Sequence, residues 1–217
     1  MIVAIIFLVG LAIATAFNIA GNLKQIRPMV VASKPLLVPC IIGFYIDMAA
    51  VVNPLIIIAL AFGCGGDVFL LWKKTSEKAV LFGLLSFMIG HVFYIIAFAG
   101  TTGFAGWQWW FALLVIPYVL VAFLIFTLLK KDFGKMKAPA TVYMGVLLAM
   151  SVFALSRGFA VTGPGFWLVW LGSLSFIVSD ALLAVEQFKL KHEILNHVIV
   201  MATYIAAQLL IAAGFAA

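Results

Sequence analysis

Two aspartates stand where aspartates are costly. Asp67 lies in Gly63-Cys64-Gly65-Gly66-Asp67-Val68-Phe69-Leu70-Leu71-Trp72-Lys73-Lys74, and Asp180 in Phe176-Ile177-Val178-Ser179-Asp180-Ala181-Leu182-Leu183-Ala184-Val185-Glu186. Each sits in an apolar run with small residues before it, and the next charged residue follows six positions later. An ionised carboxylate in hydrocarbon costs several kcal/mol, so such residues mark functional sites by default. Two carboxyls close together in low dielectric do not both stay ionised. The pair would then supply a proton donor and a carboxylate in one place, the arrangement used for general acid–base work.

The elements that hold them must be membrane helices. Of 217 residues, 67% are hydrophobic and 9% charged, and the mean hydropathy is +1.29. That leaves too little polar surface for a soluble fold of this size. A helix needs about 20 residues to cross roughly 30 Å of hydrocarbon. The expected fold is all-α: one polytopic domain over 1–217 with eight transmembrane helices. They are expected at about Ile2–Gly21, Lys34–Val52, Pro54–Trp72, beyond Lys78 to Ala99, from the Trp107, Trp109 and Trp110 anchor to Leu129, Ala138–Ser156, beyond Gly165 to Phe188, and from Glu193 to the C-terminus. Ala14-Thr15-Ala16 resembles a cleavage site, but no basic segment precedes it and further spans follow. The first segment is therefore read as a helix.

Charge placement sets the orientation. Of the 13 Lys and Arg residues, all but Arg157 fall in the first, third, fifth and seventh loops, Lys24, Arg27 and Lys34 in the first of them. By the positive-inside rule those loops are cytoplasmic and both termini face outward. The basic residues thus report topology and do not form a nucleic-acid surface. Asp67 and Asp180 then share a leaflet, each about 9 Å below the cytoplasmic boundary. If the source is bacterial, this is the cytoplasmic membrane with the site near its inner leaflet.

Other polar side chains fall at two levels. His91 and Tyr94, one turn apart, lie deep, with Tyr118, Tyr204 and Gln208 at similar depth; Asn18 and Tyr143 lie nearer the aspartates. Asp47, at the outer end of its helix, is expected to reach the interface. Cys40 and Cys64 read as buried thiols. The glycines at 63, 65 and 66 admit either a neighbouring helix or a ligand beside Asp67. His192 and His197 are five apart and do not form a zincin motif. Neither a metal nor an organic cofactor is expected.

The ordered set Lys34-Pro35-Leu36-Leu37-Val38-Pro39, Gly66-Asp67, His91-x-x-Tyr94, Ser179-Asp180-Ala181-Leu182-Leu183-Ala184 with Phe188, and Thr203-Tyr204 with Ala207-Gln208-Leu209 resembles the lysoplasmalogenase (YhhN-like) family. The likeness runs from Lys34 to Gln208, with Glu186 where that family is expected to carry Asn. The resemblance implies an eight-helix membrane hydrolase that cleaves the vinyl ether of lysoplasmalogens. The products would be a fatty aldehyde and glycerophosphoethanolamine or glycerophosphocholine, with Asp67 and Asp180 catalytic. Lys34 is a candidate phosphate ligand, with Lys24 and Arg27 near it. His91, Tyr94, Tyr118, Tyr143, Ser179, Tyr204 and Gln208 are candidates for lining the substrate site. Vinyl ethers hydrolyse through protonation of carbon and an oxocarbenium ion, a problem that glycosidases solve with two carboxyls. Two other classes use the same features: a proton-coupled transporter, since buried aspartates also serve proton relays, and a lipid-binding protein without catalysis.

Overall fold

The computed structural model describes residues 2–73, 76–103, 107–190 and 194–217. Lys74, the 104–106 part of the uncharged loop, Lys191, His192 and Glu193 lie outside the described residues, as does the side chain of His197. The described chain is all-helical: α1 Ile2–Leu23, α2 Arg27–Met48, α3 Pro54–Leu70, α4 Glu77–Thr102, α5 Phe111–Leu129, α6 Lys137–Ser156, α7 Pro164–Val185 and α8 Ile194–Ala216. Seven of these segments are long and apolar enough to cross a membrane; α3 is apolar but shorter, at 17 residues. At 1.5 Å per residue α3 reaches about 25 Å, the lower limit for a span.

Local chemistry accounts for the helix starts. Pro54 opens α3 where a missing N–H costs nothing, and Asn53 caps it by accepting from Leu55 N at 3.0 Å. Ser76 caps α4 by accepting from Ala79 N, and Pro164 opens α7. At α1 the cap comes from another helix: Asp47 Oδ2 accepts from Ala4 N at 2.9 Å. The carboxylate expected to reach for the interface thus sits at the positive end of a helix dipole.

One boundary differs from expectation. The first loop does not extend to Lys34; α2 starts at Arg27, and Pro28 occupies its first turn. Pro35 and Pro39 lie inside the helix. Each removes one backbone donor, which a membrane helix tolerates when neighbours take up the freed carbonyls. The shift moves Lys34 from a loop into the body of α2, where it is buried.

The helices pack as hairpins, α1 on α2, α3 on α4 and α7 on α8, with α4 lying against α6 and α8 against α2. The α7–α8 contact is made close by glycines. A Cβ at Gly172 would lie 2.9 Å from Ile211 Cγ1 and 3.0 Å from the Ala207 carbonyl, and one at Gly214 would lie 2.9 Å from Val169 N. Here, in the absence of a hydrophobic drive between helices, close backbone approach supplies the packing. Helix α5 stands at the edge; of its residues only Phe111, Tyr118 and Leu129 are buried.

Gly172→Ala is expected to force α7 and α8 apart and destabilise the bundle by about 1–3 kcal/mol. Gly145→Ala, where a Cβ meets nothing within 4 Å, should be neutral or slightly stabilising, since Ala exceeds Gly in helix propensity. Thermal melting of the two purified variants in one detergent checks the contrast; equal melting temperatures would refute it.

Candidate functional site

Asp67 is 2% exposed and draws its partners from two other helices. Lys34 Nζ of α2 lies 3.2 Å from its Oδ1. The Tyr204 hydroxyl of α8 interacts with the same carboxyl, and Oδ2 is buried without a hydrogen-bond partner. Tyr204 in turn accepts from Gln208 Nε2 at 3.1 Å, and Gln208 Oε1 accepts from Tyr94 Oη of α4 at 2.6 Å. A polar chain therefore runs Tyr94, Gln208, Tyr204, Asp67, Lys34 through an otherwise apolar interior. Buried polar groups are tolerated when linked in this way.

The glycines before Asp67 make room for that chain. A Cβ at Gly63 would lie 2.5 Å from Gln208 Nε2 and 3.1 Å from the Tyr204 oxygen; at Gly65 it would meet Ser86 Oγ at 2.8 Å, and at Gly66 the Phe87 ring at 2.6 Å. Side chains of α4 and α8, not a ligand, fill these positions.

Asp180 is set differently. Its Oδ2 accepts a hydrogen bond from Tyr143 Oη of α6, and His91 Nε2 of α4 lies 3.6 Å from the same oxygen. His91 Nε2 is also 3.1 Å from Tyr143 Oη. With the tyrosine hydrogen given to the carboxylate, its oxygen accepts from His91 Nε2–H, an assignment made from the network. His91 Nδ1 is buried without a partner, and the ring stands edge-on to Phe176 at 5.0 Å.

A cavity of about 80 Å³ opens at Asp180. Its wall is largely apolar, with Leu84 and Phe87 of α4, Tyr143 and Met144 of α6, and Ala181 of α7 among the lining residues. It includes Asp180 and Tyr143 but not Asp67. The two carboxyls nonetheless interact electrostatically, Asp180 contributing less at Asp67 than Lys34 does. They differ in access: one faces the cavity, the other sits behind it in an ion pair.

The remaining candidates fall into place around this. Tyr94, Tyr204 and Gln208 belong to the polar chain at Asp67. Tyr118 accepts from the Trp170 indole at 3.0 Å and packs in a separate cluster with Phe111, Leu148 and Val152. Ser179 donates to the Val200 carbonyl at 3.1 Å and so joins α7 to α8. Lys34 holds Asp67 from within the bundle. Sequence reasoning did not single out Gln187, which lines the cavity, or the Lys73–Glu186 ion pair at 2.7 Å. Among the described residues no three His, Cys, Asp or Glu side chains gather as a metal site.

Apolar helices enclosing two carboxyls, each held by partners from other helices, define a polytopic membrane protein with a polar centre inside the bundle. The chain belongs to the YhhN family, whose family model matches residues 29–215. It is 35% identical over 159 residues to Lysoplasmalogenase TMEM86B of Homo sapiens, covering 70% of this chain and 59% of that protein. It is 29% identical over 161 residues to Lysoplasmalogenase TMEM86A of Bos taurus, covering 72% of this chain and 63% of that protein. The aligned part of the chain thus spans about three fifths of the length of these curated relatives. No solved structure matches it.

Removing one partner from a buried ion pair strands the other charge, at a cost of about 3–5 kcal/mol. Lys34→Met should therefore destabilise the protein strongly, and adding Asp67→Asn to it should recover part of the loss. A double-mutant cycle on melting temperature in detergent measures the coupling; additive single effects would show that the pair contributes nothing.

Proposed function

We propose that this chain is a membrane-embedded lysoplasmalogenase. It hydrolyses the vinyl ether of a lysoplasmalogen to a fatty aldehyde and glycerophosphoethanolamine or glycerophosphocholine. The observation that carries the reading is Asp180, a carboxyl opening onto an apolar cavity with a tyrosine and a histidine at its Oδ2. The names of the relatives support the same activity.

The chemistry assigns the parts. The Asp180 carboxylic acid gives its proton to the β-carbon of the vinyl ether, and the electron pair of the double bond takes it up. The α-carbon becomes an oxocarbenium ion. Water adds there and loses a proton to the Asp180 carboxylate, forming a hemiacetal. Asp180 then returns that proton to the glycerol oxygen as its bond to the hemiacetal carbon breaks, and takes up the hemiacetal hydroxyl proton, so aldehyde and alcohol are released, one water is consumed and the acid form is restored. One carboxyl acting first as acid and then as base is the pattern of retaining glycosidases. General acid catalysis of this kind contributes about 10²–10⁴-fold.

The neighbours complete it. Tyr143 fixes the carboxyl by its hydrogen bond, and His91 lies close enough to exchange a proton through Tyr143 or with Asp180 itself. Asp67, ion-paired with Lys34, is a preorganised charge behind the cavity, placed to stabilise a developing cation. In the topology read from the basic loops, the site lies in the cytoplasmic leaflet, at the depth of a lysolipid's ether linkage. Lys34 then acts on substrate through Asp67, not through the phosphate.

Purified protein incubated with lysoplasmalogen in detergent should release aldehyde. Asp180→Asn should lower the rate by at least about 100-fold and Tyr143→Phe by about 10-fold, both with melting temperatures near that of the parent. Absence of aldehyde from the wild-type protein, or full activity in Asp180→Asn, would reject the proposal. Proton-coupled uptake into liposomes without turnover would favour a transporter.

A further inference from the structure

Gln187 stands in the cavity wall, and its Oε1 is buried without a hydrogen-bond partner. It follows Asp180 by seven residues, and both residues line the cavity. Between them Ala181, Leu183 and Ala184 also line the cavity, and these three bound the gap between the two polar groups. Gln187 belongs to the π-helical turn Glu186–Leu190 that ends α7. Such turns carry one extra residue and recur at functional sites. Glu186, which is buried, anchors the turn to the end of α3 through Lys73.

A buried acceptor without a donor is destabilising, and a native one calls for an explanation. On the hydrolase reading above, on which this inference rests, the missing donor comes from the substrate. The vinyl ether oxygen and the phosphate oxygens only accept. The donors available are the glycerol 2-hydroxyl and, in ethanolamine lipids, the ammonium. Asp180 and Gln187 are separated by about 10 Å of helical rise, less the reach of two side chains. The 2-hydroxyl oxygen is five bonds from the carbon that Asp180 protonates, about 6 Å when extended. The ammonium is eleven bonds away, roughly twice as far. The hydroxyl fits the gap.

We propose that Gln187 is a binding residue that accepts a hydrogen bond from the free 2-hydroxyl of the lysolipid and so excludes lipids acylated at that position. An acylated lipid puts an ester oxygen, itself an acceptor, against Oε1. Sites built around a hydrogen bond reject analogues that lack the matching group far more strongly than apolar pockets reject added bulk.

The test uses two saturated ether lipids that cannot be hydrolysed, 1-O-hexadecyl glycerophosphocholine with a free 2-hydroxyl and its 2-methoxy counterpart. The choline head group carries no N–H, so no ammonium donor competes. Binding to the purified full chain in detergent is followed by tryptophan fluorescence. The wild-type protein should prefer the hydroxyl lipid by about 10- to 100-fold. Gln187→Met, similar in shape but without the acceptor, should bind the two lipids equally, and Gln187→Glu, which restores an acceptor, should recover the preference. Equal affinity of the wild-type protein for both lipids overturns the inference without recourse to any variant, as does a preference that survives in Gln187→Met. The two proposals fail separately. Aldehyde release without hydroxyl preference removes only this one, and hydroxyl preference without aldehyde release removes only the hydrolase.

Discussion

A charge inside hydrocarbon has to be answered by another charge, and in this protein the answer to Asp67 is Lys34. The Lys34 and Asp67 side chains are 6% and 3% exposed and 3.2 Å apart. Neither could occupy its place alone, because each unpaired ion would carry a desolvation penalty of several kcal/mol. Together they fix where α2 and α3 meet, and Tyr204 brings α8 to the same carboxyl. The glycines at 63, 65 and 66 are the steric counterpart. They strip α3 of side chains along the face where Gln208, Tyr204, Ser86 and Phe87 approach. The polar chain from Tyr94 to Lys34 thus ties four helices that an apolar interior would leave free to slide.

The second carboxyl gains its character from the first. Asp67 has a cation beside it and no place in the cavity wall; Asp180 has a tyrosine and a histidine beside it and opens onto the cavity. Two residues of the same type thus sit in unlike environments, the condition under which carboxyl pairs divide their roles. An apolar cavity sharpens the division, because each electrostatic interaction grows as water is excluded.

Much of this was legible in the sequence, for a physical reason. In a chain where most residues match lipid, a polar side chain stands out, and nearly all the residues flagged on that ground have partners inside the bundle: Asp67, His91, Tyr94, Tyr143, Tyr204 and Gln208 are buried, and Asp180 is part-buried at the cavity. Both aspartates were flagged as lone carboxylates in apolar runs, and they interact electrostatically. What spacing does not encode is who faces whom. Lys34 was read into a loop because Pro35 suits a first helical turn, yet Pro28 suits one equally well and only tertiary contacts decide between them. The apolar cavity wall carried no signal, since Leu84 or Met144 looks like every other residue of a lipid-facing helix. The π-helical turn after Val185 is likewise invisible, since helical periodicity cannot register one added residue.

Access to Asp180 follows from how unevenly the helices are held. Helices α7 and α8 are locked by backbone contacts at Gly172 and Gly214, and α3 and α4 by Gly66 and Gly90. Helix α5 has no such contacts and few buried residues, yet its Ile125 lines the cavity. Phe133, just beyond α5, also lines it and packs edge-on against Phe188 of the π-helical turn at 5.0 Å. A lipid entering from the membrane meets least resistance where the fewest packed groups must be displaced, and on this wall that is the α5 side. The closely packed hairpins hold the carboxyls in place, while α5, with few buried residues, is the loosely held part of the cavity wall.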